Sequence, residues 1–291
     1  MQVTVVIPVW DGYDRYLRGC VEDVLRQVPR PRVVVVDNAS RRPLPALPAE
    51  VEVVAARRRV TAGRARNLGL AAVTTPYVCF SDVDDRMLPG TLAFCIGRLE
   101  RSRDLVGCAT SVLDWYAEED RVVPDRRPRR HAYLVSGHRR LFALYQLAFV
   151  SALSTTTGTV FRTAAVRAAG GFGDANIAED SMLALPLSWR GGIELHHRPG
   201  RLYRIEPGSL IHRRISRAVR AESMRRVRAA VAADPAVPWP VRAALPAVSL
   251  LHRAKVEARA ALVDDASGTI VPWASRRWSS RWRWPSASRR S

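Results

Sequence analysis

Short apolar runs rich in β-branched residues alternate with amphipathic stretches along residues 1–100. The runs Val3–Val9, Arg32–Val36 and Val51–Ala55 have the composition of buried strands. Between them, Tyr16–Val28 repeats apolar residues at helical spacing, and a second helix is predicted near Ala62–Ala72. This order is typical of βαβ units, in which strands lie parallel and helices cover the sheet. The pattern therefore predicts an α/β fold.

A cluster of carboxylates follows the next apolar run. The strand predicted from Tyr77 ends at Asp82, and Asp84 and Asp85 come directly after it. In open α/β sheets, ligands bind beyond the carboxyl ends of the strands. Mg²⁺ and Mn²⁺ prefer such oxygen ligands and bridge to substrate phosphates. These residues alone leave two interpretations open: a metal-diphosphate site, or Asp82 or Asp85 capping a helix predicted over Pro89–Leu99.

The middle of the chain is less regular. A strand is predicted over Leu105–Trp115, followed by a charged, proline-bearing segment, Glu118–Arg130, that is interpreted as a mobile loop over the site. The apolar stretch Leu141–Leu153 is too short to cross a bilayer and is predicted to be a buried helix. A further strand is expected near Thr159–Phe161, and a helix is expected to begin near Glu179.

From about Ile215 the pattern changes to helix-spaced apolar residues among arginines. The predicted organisation is an α/β domain over residues 1–212 with halves of about 1–100 and 101–212, a helical extension over 213–265, and a tail over 266–291. The segment 273–291 of the tail holds four tryptophans and six arginines and no acid. Disorder is the simplest interpretation of this composition, and contact with an anionic membrane surface is the alternative.

Charge and cysteine content bear on the binding partners and the cellular compartment of the protein. The formal net charge is +19 and Lys255 is the only lysine, so arginine supplies almost the whole basic excess. An arginine bias fits a GC-rich genome as well as it fits a function, so the basic excess alone is weak support for nucleic-acid binding, which is disfavoured. The four cysteines have no C-x-x-C spacing and are expected to be reduced and buried. No signal peptide is recognisable, which predicts a cytoplasmic protein, with peripheral contact to the inner face of the membrane as an alternative.

Four segments then fit one known pattern in their order and spacing. The first is Val5–Asp11, the second Val33–Ser40, the third Gly63–Gly69, and the fourth Phe80–Asp85. Together they resemble the sequence elements of the family 2 glycosyltransferases, which have the GT-A fold. The second resembles that family's Val-Asp-Asp-Gly-Ser element, and the fourth its Phe-Leu-Asp-x-Asp-Asp element. The resemblance implies a Rossmann-like, mostly parallel central sheet flanked by helices, here with a C-terminal helical extension.

The resemblance also implies a site for a nucleotide-sugar, usually a UDP-sugar. Asp37 is expected to receive the base of the nucleotide, and Arg66 lies in the run that packs under the nucleotide. Pro8 and Trp10 belong to the opening element of the same site.

On the metal side, Asp84 is the expected direct ligand of Mn²⁺ or Mg²⁺, and Asp82 is expected to help hold the ribose and the metal. The metal would carry the charge that develops on the diphosphate leaving group.

A general base is expected on the acceptor side of the site. The segment Gly170–Asp174, followed by Ala178–Asp180, resembles the Gly-Gly-Phe and Glu-Asp elements of the family. The resemblance points to Asp180 as the base that takes the proton of an acceptor hydroxyl, in one displacement with inversion. The alternatives are that Asp180 only caps a helix and that Glu179 only complements its dipole.

One segment departs from the family pattern. Tyr203–Ser209 resembles the Tyr-Arg-x-His-x-x-Ser stretch, but Glu206 stands where histidine is common. A histidine contact to the diphosphate or the metal is therefore in doubt, and His212 is an unsupported substitute. No copy of the Gln/Arg-x-x-Arg-Trp motif of processive members is found, which favours transfer of a single sugar.

Two other functions compete with a hexosyltransferase-like enzyme. A nucleotidyltransferase would also join a Rossmann-like half to a pair of metal-binding acids, but no glycine-rich, lysine-bearing phosphate loop follows the first strand. A basic protein that binds membranes or nucleic acid through a decayed site is suggested by the Arg/Trp tail. Against such decay stands the presence of four acids of the expected site: Asp37, Asp82, Asp84 and Asp180.

Overall fold

A mixed sheet flanked by helices forms the body of the protein. The computed structural model describes residues 2–124, 156–176, 179–206, 217–247 and 250. The strands are β1 (Val3–Val9), β2 (Arg32–Asp37), β3 (Val51–Ala55), β4 (Tyr77–Phe80), β5 (Arg86–Met87), β6 (Leu105–Tyr116), β7 (Arg121–Pro124), β8 (Thr159–Arg162) and β9 (Gly192–Ile205). The helices are α1 (Asp14–Leu25), α2 (Ala62–Ala72), α3 (Thr91–Arg101), α4 (Thr163–Ala168), α5 (Glu179–Arg190) and α6 (Arg217–Ala233), and residues 239–247 are also helical.

The first four long strands are parallel, as predicted. They lie in the order β3-β2-β1-β4, with Val9 opposite Asp37 and Val6 opposite Phe80. The β-branched residues of β1, β2 and β4 are buried on both faces, which is the usual state of a parallel sheet, whereas Val53 of β3 is 50% exposed. The carboxyl ends of β1, β2 and β4 therefore meet at one edge, where the sequence places its candidate site residues.

The second half of the sheet is mixed. Strand β8 is antiparallel to both β4 and β6, whereas β9 runs parallel to β6 and pairs with the short β5. The prediction of a loop over Glu118–Arg130 is wrong at its start, because Arg121–Pro124 form β7 in a hairpin with β6. Residues 125–130 and the helix predicted over Leu141–Leu153 lie outside the described residues.

Helices cover both faces of the sheet and enclose two apolar cores. On one face, Leu17 and Val21 of α1 pack with Leu92 and Ile96 of α3. On the other, α2, α4 and α5 contribute to a second core that contains Phe161. The first helix ends at Leu25, three residues before the predicted Val28, which is 73% exposed.

The helical extension packs on α5. Met224, Val227 and Val231 of α6 form a third apolar cluster with Leu185 of α5, and Val241 of the helical segment 239–247 adds to it. These elements belong to one compact unit that runs from Met1 to Ser249. The domain limits stay predictions.

Two further expectations concern the described residues. All four cysteines, Cys20, Cys79, Cys95 and Cys108, are buried and free, as expected. No helix in the described ranges is long and apolar enough to cross a membrane.

Candidate active site

The acidic residues after β4 form a tight turn at the carboxyl edge of the sheet. Strand β4 ends at Phe80, two residues before the predicted end at Asp82. The Asp82 N–H donates to the Thr157 hydroxyl at 2.9 Å, and the Asp85 N–H donates to the Asp82 carbonyl at 3.1 Å. These two bonds fix the backbone of the turn. The name acid turn is used below for Asp82–Asp85.

The helix-capping interpretation of these acids is wrong. Helix α3 begins at Thr91, its N-cap is Gly90, and no side chain caps it. Asp85 is instead buried, with its carboxylate 3.3 Å from Nη1 of Arg201. Arg201 is equally buried, so Asp85 belongs to an ion pair in the interior.

Asp82 is held from the other side by Arg66. The Arg66 guanidinium donates from Nη2 to Oδ1 of Asp82 at 2.7 Å and from Nη1 to Oε1 of Glu179 at 2.9 Å. Its side chain is only 7% exposed and lies over the ring of Phe172. One buried cation thus joins the acid turn to the first residue of α5. The predicted contact of Arg66 with a nucleotide stays a prediction.

The three acids of the turn have different protonation behaviour. Burial alone would raise the pKa of Asp82, but the charges of Arg66 and Arg201 and the hydrogen bond from Arg66 outweigh it and lower that pKa. Burial and the negative charge of Asp82 raise the pKa of Asp84 to about 6. Burial raises the pKa of Asp85 to about 7, against the opposing charge of Arg201. The pKa of Asp84 is therefore raised in part by a neighbouring acid, an effect that a bound cation would oppose.

The chemistry of the turn fits a divalent metal. A cation next to Asp84 would offset the repulsion between Asp84 and Asp82, and carboxylate oxygens suit Mg²⁺ or Mn²⁺. Asp85 is less available, because its Oδ2 already lies 3.3 Å from Nη1 of Arg201. Across the described ranges, no three Asp, Glu, His or Cys side chains already converge as a complete ligand set.

The residues predicted to bind the nucleotide lie at the same edge. Pro8 is buried in β1 opposite Val36, and Trp10 follows the strand with its ring 4.8 Å from that of Tyr13. Asp37 ends β2, accepts the Ser40 N–H at 2.9 Å and lines a cavity of about 420 Å³. The structure thus brings Pro8, Trp10 and Asp37 to neighbouring strand ends.

Asp180 lies in the first turn of α5, next to Glu179, as the sequence predicts. Its Oδ1 accepts the Ser181 N–H at 2.7 Å. Asp180 is the second residue of the helix, so this contact to the next N–H satisfies a backbone donor of the first turn without the geometry of an N-cap. Burial raises the pKa of the neighbouring Glu179 to about 7, although the charge of Arg66 opposes the shift.

Helix α2 holds the chain that leads to α5. Asn67 accepts the Phe172 N–H at 2.9 Å and donates to the Phe172 carbonyl at 2.7 Å. Thr61 donates to Asp174 at 2.8 Å. Gly63 approaches so closely that a Cβ there would lie 1.8 Å from the Gly173 carbonyl oxygen. The run Gly63–Gly69 therefore acts as a support for residues 172–176, a role that its motif did not reveal.

Two arginines of β9 complete the surroundings of the acid turn, and neither was predicted from the sequence to lie there. Arg201 pairs with Asp85, and Arg204 donates from Nε to the Asp84 carbonyl at 3.0 Å. Glu206, directly after β9, accepts from the Tyr16 hydroxyl at 2.6 Å and from Nη1 of Arg204 at 3.2 Å. In a regular strand, residues three positions apart point to opposite faces, so the spacing of Arg201 and Arg204 gives no sign that both contact the acid turn.

Comparison with known proteins identifies the family. The sequence profile of glycosyl transferase family 2 matches residues 4–161, which is more than half of the chain. The chain belongs to glycosyl transferase family 2. No curated protein sequence gives a significant match.

Solved structures of the family share the fold. The crystal structure of S. aureus TarS 1-349 in complex with UDP-GlcNAc superposes with a TM-score of 0.63 at 17% identity, covering 87% of this chain and 71% of that one. The same fragment in complex with UDP gives a TM-score of 0.60 at 16% identity, covering 87% and 70%. At identities this low, the superpositions show that the two proteins share the GT-A fold and nothing finer. The fold predicted from the sequence is confirmed.

The family match divides the candidate site. The strand ends with Asp37, the Arg66 helix and the acid turn lie within residues 4–161, whereas Asp180 and Glu206 lie beyond them. Glu206 is the position where the sequence departs from the family element. The carboxylate there is tied to Tyr16 and Arg204, and His212, the suggested substitute, lies outside the described residues.

Proposed function

We propose that this glycosyltransferase moves one sugar from a UDP-sugar to an acceptor hydroxyl, with inversion at the anomeric carbon. The observation that supports it is the position of Arg66, which bonds to Asp82 of the acid turn and to Glu179 beside Asp180. One buried guanidinium thereby bonds to a residue of the proposed donor site and to the chain neighbour of the candidate base. Such an arrangement suits a direct transfer between two substrates held side by side.

Each residue has a distinct task in this proposal. Asp84, with Asp82, would hold Mn²⁺ or Mg²⁺, which when bound would neutralise charge on the diphosphate leaving group. Asp37 would accept a hydrogen bond from the base, beside Pro8 and Trp10. Asp180 would take the proton of the acceptor hydroxyl as that oxygen attacks the sugar.

The choice of UDP follows from the fold comparison. S. aureus TarS has been crystallised with UDP-GlcNAc and with UDP, and its fold covers 87% of this chain. UDP-sugars are therefore the first donors to test. Binding of the tail 266–291 to an anionic membrane and a cytoplasmic location stay predictions, since the tail lies outside the described residues.

A thermal-shift screen of nucleotide-sugars with and without Mn²⁺ tests the donor site. A ligand that binds only the folded protein raises its melting temperature, and a concentration of 100 times Kd stabilises by about 2.7 kcal/mol. We expect a UDP-sugar to give a Mn²⁺-dependent shift that Asp84→Asn abolishes. Glu100→Gln, at an exposed carboxylate of α3, should leave it intact. Absence of a shift with every nucleotide-sugar would contradict the donor site.

Product analysis separates this function from its competitors. Incubation of the shifted donor with Mn²⁺ should release the sugar and UDP, whereas pyrophosphate would indicate a nucleotidyltransferase. The anomeric configuration of the transferred sugar, read by NMR, checks inversion. If Asp84→Ala left sugar transfer unchanged while deletion of residues 266–291 abolished it, a binding protein with a decayed site would become the better interpretation.

A further inference from the structure

Glu206 stands at the centre of a cluster that joins α1 to the end of β9. Its Oε2 accepts from the Tyr16 hydroxyl at 2.6 Å and lies 3.4 Å from Nη2 of Arg15. Its Oε1 accepts from Nη1 of Arg204 at 3.2 Å. Both carboxylate oxygens are thus engaged by donors of the protein, and two of those donors are cations.

Arg204 is held on three sides. Its guanidinium lies 4.5 Å from the ring centre of Tyr16 and 4.2 Å from that of Trp115, so an aromatic ring flanks it in both contacts. Glu206 binds Nη1, and Nε donates to the Asp84 carbonyl at 3.0 Å. The Arg204 side chain is 14% exposed, so these contacts are largely shielded from water. Its direction is therefore set by Tyr16, Trp115 and Glu206 together.

The cluster contacts the acid turn through Arg204. The Arg204 Nε bond fixes the backbone of Asp84, and the Arg204 N–H lies 3.4 Å from Oδ1 of Asp85. The charge of Arg204 also opposes the burial that raises the pKa of Asp84. Glu206 offsets one of the two cationic charges of Arg15 and Arg204, so the cluster keeps a net positive charge beside the turn.

We propose that Glu206 is a positioning residue that holds Arg204 against the backbone of Asp84, and that it contacts neither the diphosphate nor the metal. This inference rests on the proposed function in treating the acid turn as part of the donor site. A neutral histidine at this position accepts at one ring nitrogen only and could not serve Tyr16 and Arg204 together. With both carboxylate oxygens engaged in this way, Glu206 serves as an internal support.

A double-mutant cycle of UDP binding tests the proposal. Calorimetric Kd values for UDP with Mn²⁺ are compared for the wild type, Glu206→Gln, Arg204→Gln and the double variant. Loss of a support to a metal ligand weakens binding about 10-fold to 100-fold, and we expect this range for Glu206→Gln. If Glu206 acts only through Arg204, the double variant binds no worse than Arg204→Gln. Losses that multiply in the double variant would show a direct contact and overturn the proposal.

Three further variants sharpen the cycle. Glu206→His restores the family residue and should weaken UDP binding at least as much as Glu206→Gln, whereas binding equal to or tighter than wild type would overturn the proposal. Tyr16→Phe removes one donor to Glu206 and should weaken binding in the same direction, which provides a test if Arg204→Gln does not fold. Glu194→Gln breaks a similar pair with Arg98 elsewhere on β9 and should leave Kd unchanged.

Two other readouts separate positioning from general destabilisation and from failure of the proposed function. In transfer assays Glu206→Gln should raise the donor KM in proportion to Kd and leave the acceptor KM unchanged. Without ligand, amide hydrogen exchange should become faster in a peptide covering residues 82–88 and stay constant over 95–101. Wild-type protein that binds no nucleotide would refute the proposed function, whereas unchanged exchange in Glu206→Gln would refute the positioning role.

Discussion

Arg66 and Glu179 form an ion pair, Nη1 to Oε1 at 2.9 Å, between residues 113 positions apart in the chain. The same guanidinium bonds to Asp82, so one cation compensates two carboxylates. Burial in this setting penalises any uncompensated charge. The pair therefore makes the position of α5, which carries Asp180, depend on a residue of the donor half.

We expect Arg66→Met to destabilise the protein strongly. Removing the cation leaves Asp82 and Glu179 without their shared partner, and breaking one side of a buried ion pair costs about 3–5 kcal/mol. Urea denaturation measures the change in the free energy of unfolding. The matched control is Arg64→Met on the same helix, whose pair with Asp174 is about half exposed and should contribute less than about 1 kcal/mol. Equal losses in the two variants would contradict the central role of Arg66.

Asp180→Asn should abolish transfer without affecting the donor site. A carboxamide cannot take the proton of the acceptor hydroxyl, and loss of a general base lowers kcat about 10²-fold to 10⁴-fold. The variant should still bind UDP with Mn²⁺ as tightly as the wild type, measured by calorimetry. Asp174→Asn, at a half-exposed carboxylate before α5, is the control and should keep kcat near the wild-type value. Full activity of Asp180→Asn would exclude Asp180 as the base.

The local elements of the donor half could be predicted from the sequence. Helix α2 has the predicted bounds, and the strands β1, β2 and β3 lie within one residue of prediction. A continuous run of β-branched apolar residues is typical of a strand that is buried on both faces of a parallel sheet. That Asp37 lies near the acid turn could be predicted, because both stand at the carboxyl ends of strands in one parallel sheet. These features depend on neighbours in sequence or on a general property of the sheet.

The long-range contacts could not be predicted in this way. Nothing near Arg66 indicates that its partners are Asp82 and Glu179, because that choice depends on how α2 packs beside the start of α5. The antiparallel β8, inserted between β4 and β6, likewise leaves no signal in periodicity. Strand β7 was missed because its four residues are mostly exposed and follow a charged turn.

Ala39→Gly should stabilise the protein. Ala39 has a φ of +54°, in the left-handed region, and stands where the family element that this segment resembles has glycine. A residue with a Cβ pays about 1–2 kcal/mol in that region, and part of the gain is offset by the greater freedom of glycine in the unfolded chain. We expect a net gain of about 0.5–1 kcal/mol in the free energy of unfolding.

Urea denaturation measures that gain, and a second alanine provides its control. Ala55, exposed at the end of β3, does not have a positive φ, so Ala55→Gly should lose about 0.5–1 kcal/mol. Destabilisation by both substitutions would show that Ala39 is not strained.

The pair between Arg190 and Asp234 should make the docking of α6 sensitive to acid. Arg190 donates to both carboxylate oxygens of Asp234, at 2.6 and 3.0 Å, and these bonds lower the pKa of Asp234 below its ordinary value of 3.8. A depressed carboxyl pKa contributes stability above the unfolded-state pKa, and this contribution is lost as pH falls through the folded-state pKa. The window of loss therefore lies below about pH 4.

Asp234→Asn should accordingly be less stable than the wild type at about pH 7, by about 1–2 kcal/mol, and the difference should shrink towards about pH 3. Urea denaturation of both proteins at each pH isolates Asp234, because the other acids titrate in both. Glu222→Gln on α6 removes exposed pairs with Arg225 and Arg226 and should change little at either pH. A difference between wild type and Asp234→Asn that persisted unchanged at about pH 3 would mean that packing of the side chain, and not its charge, joins α6 to α5.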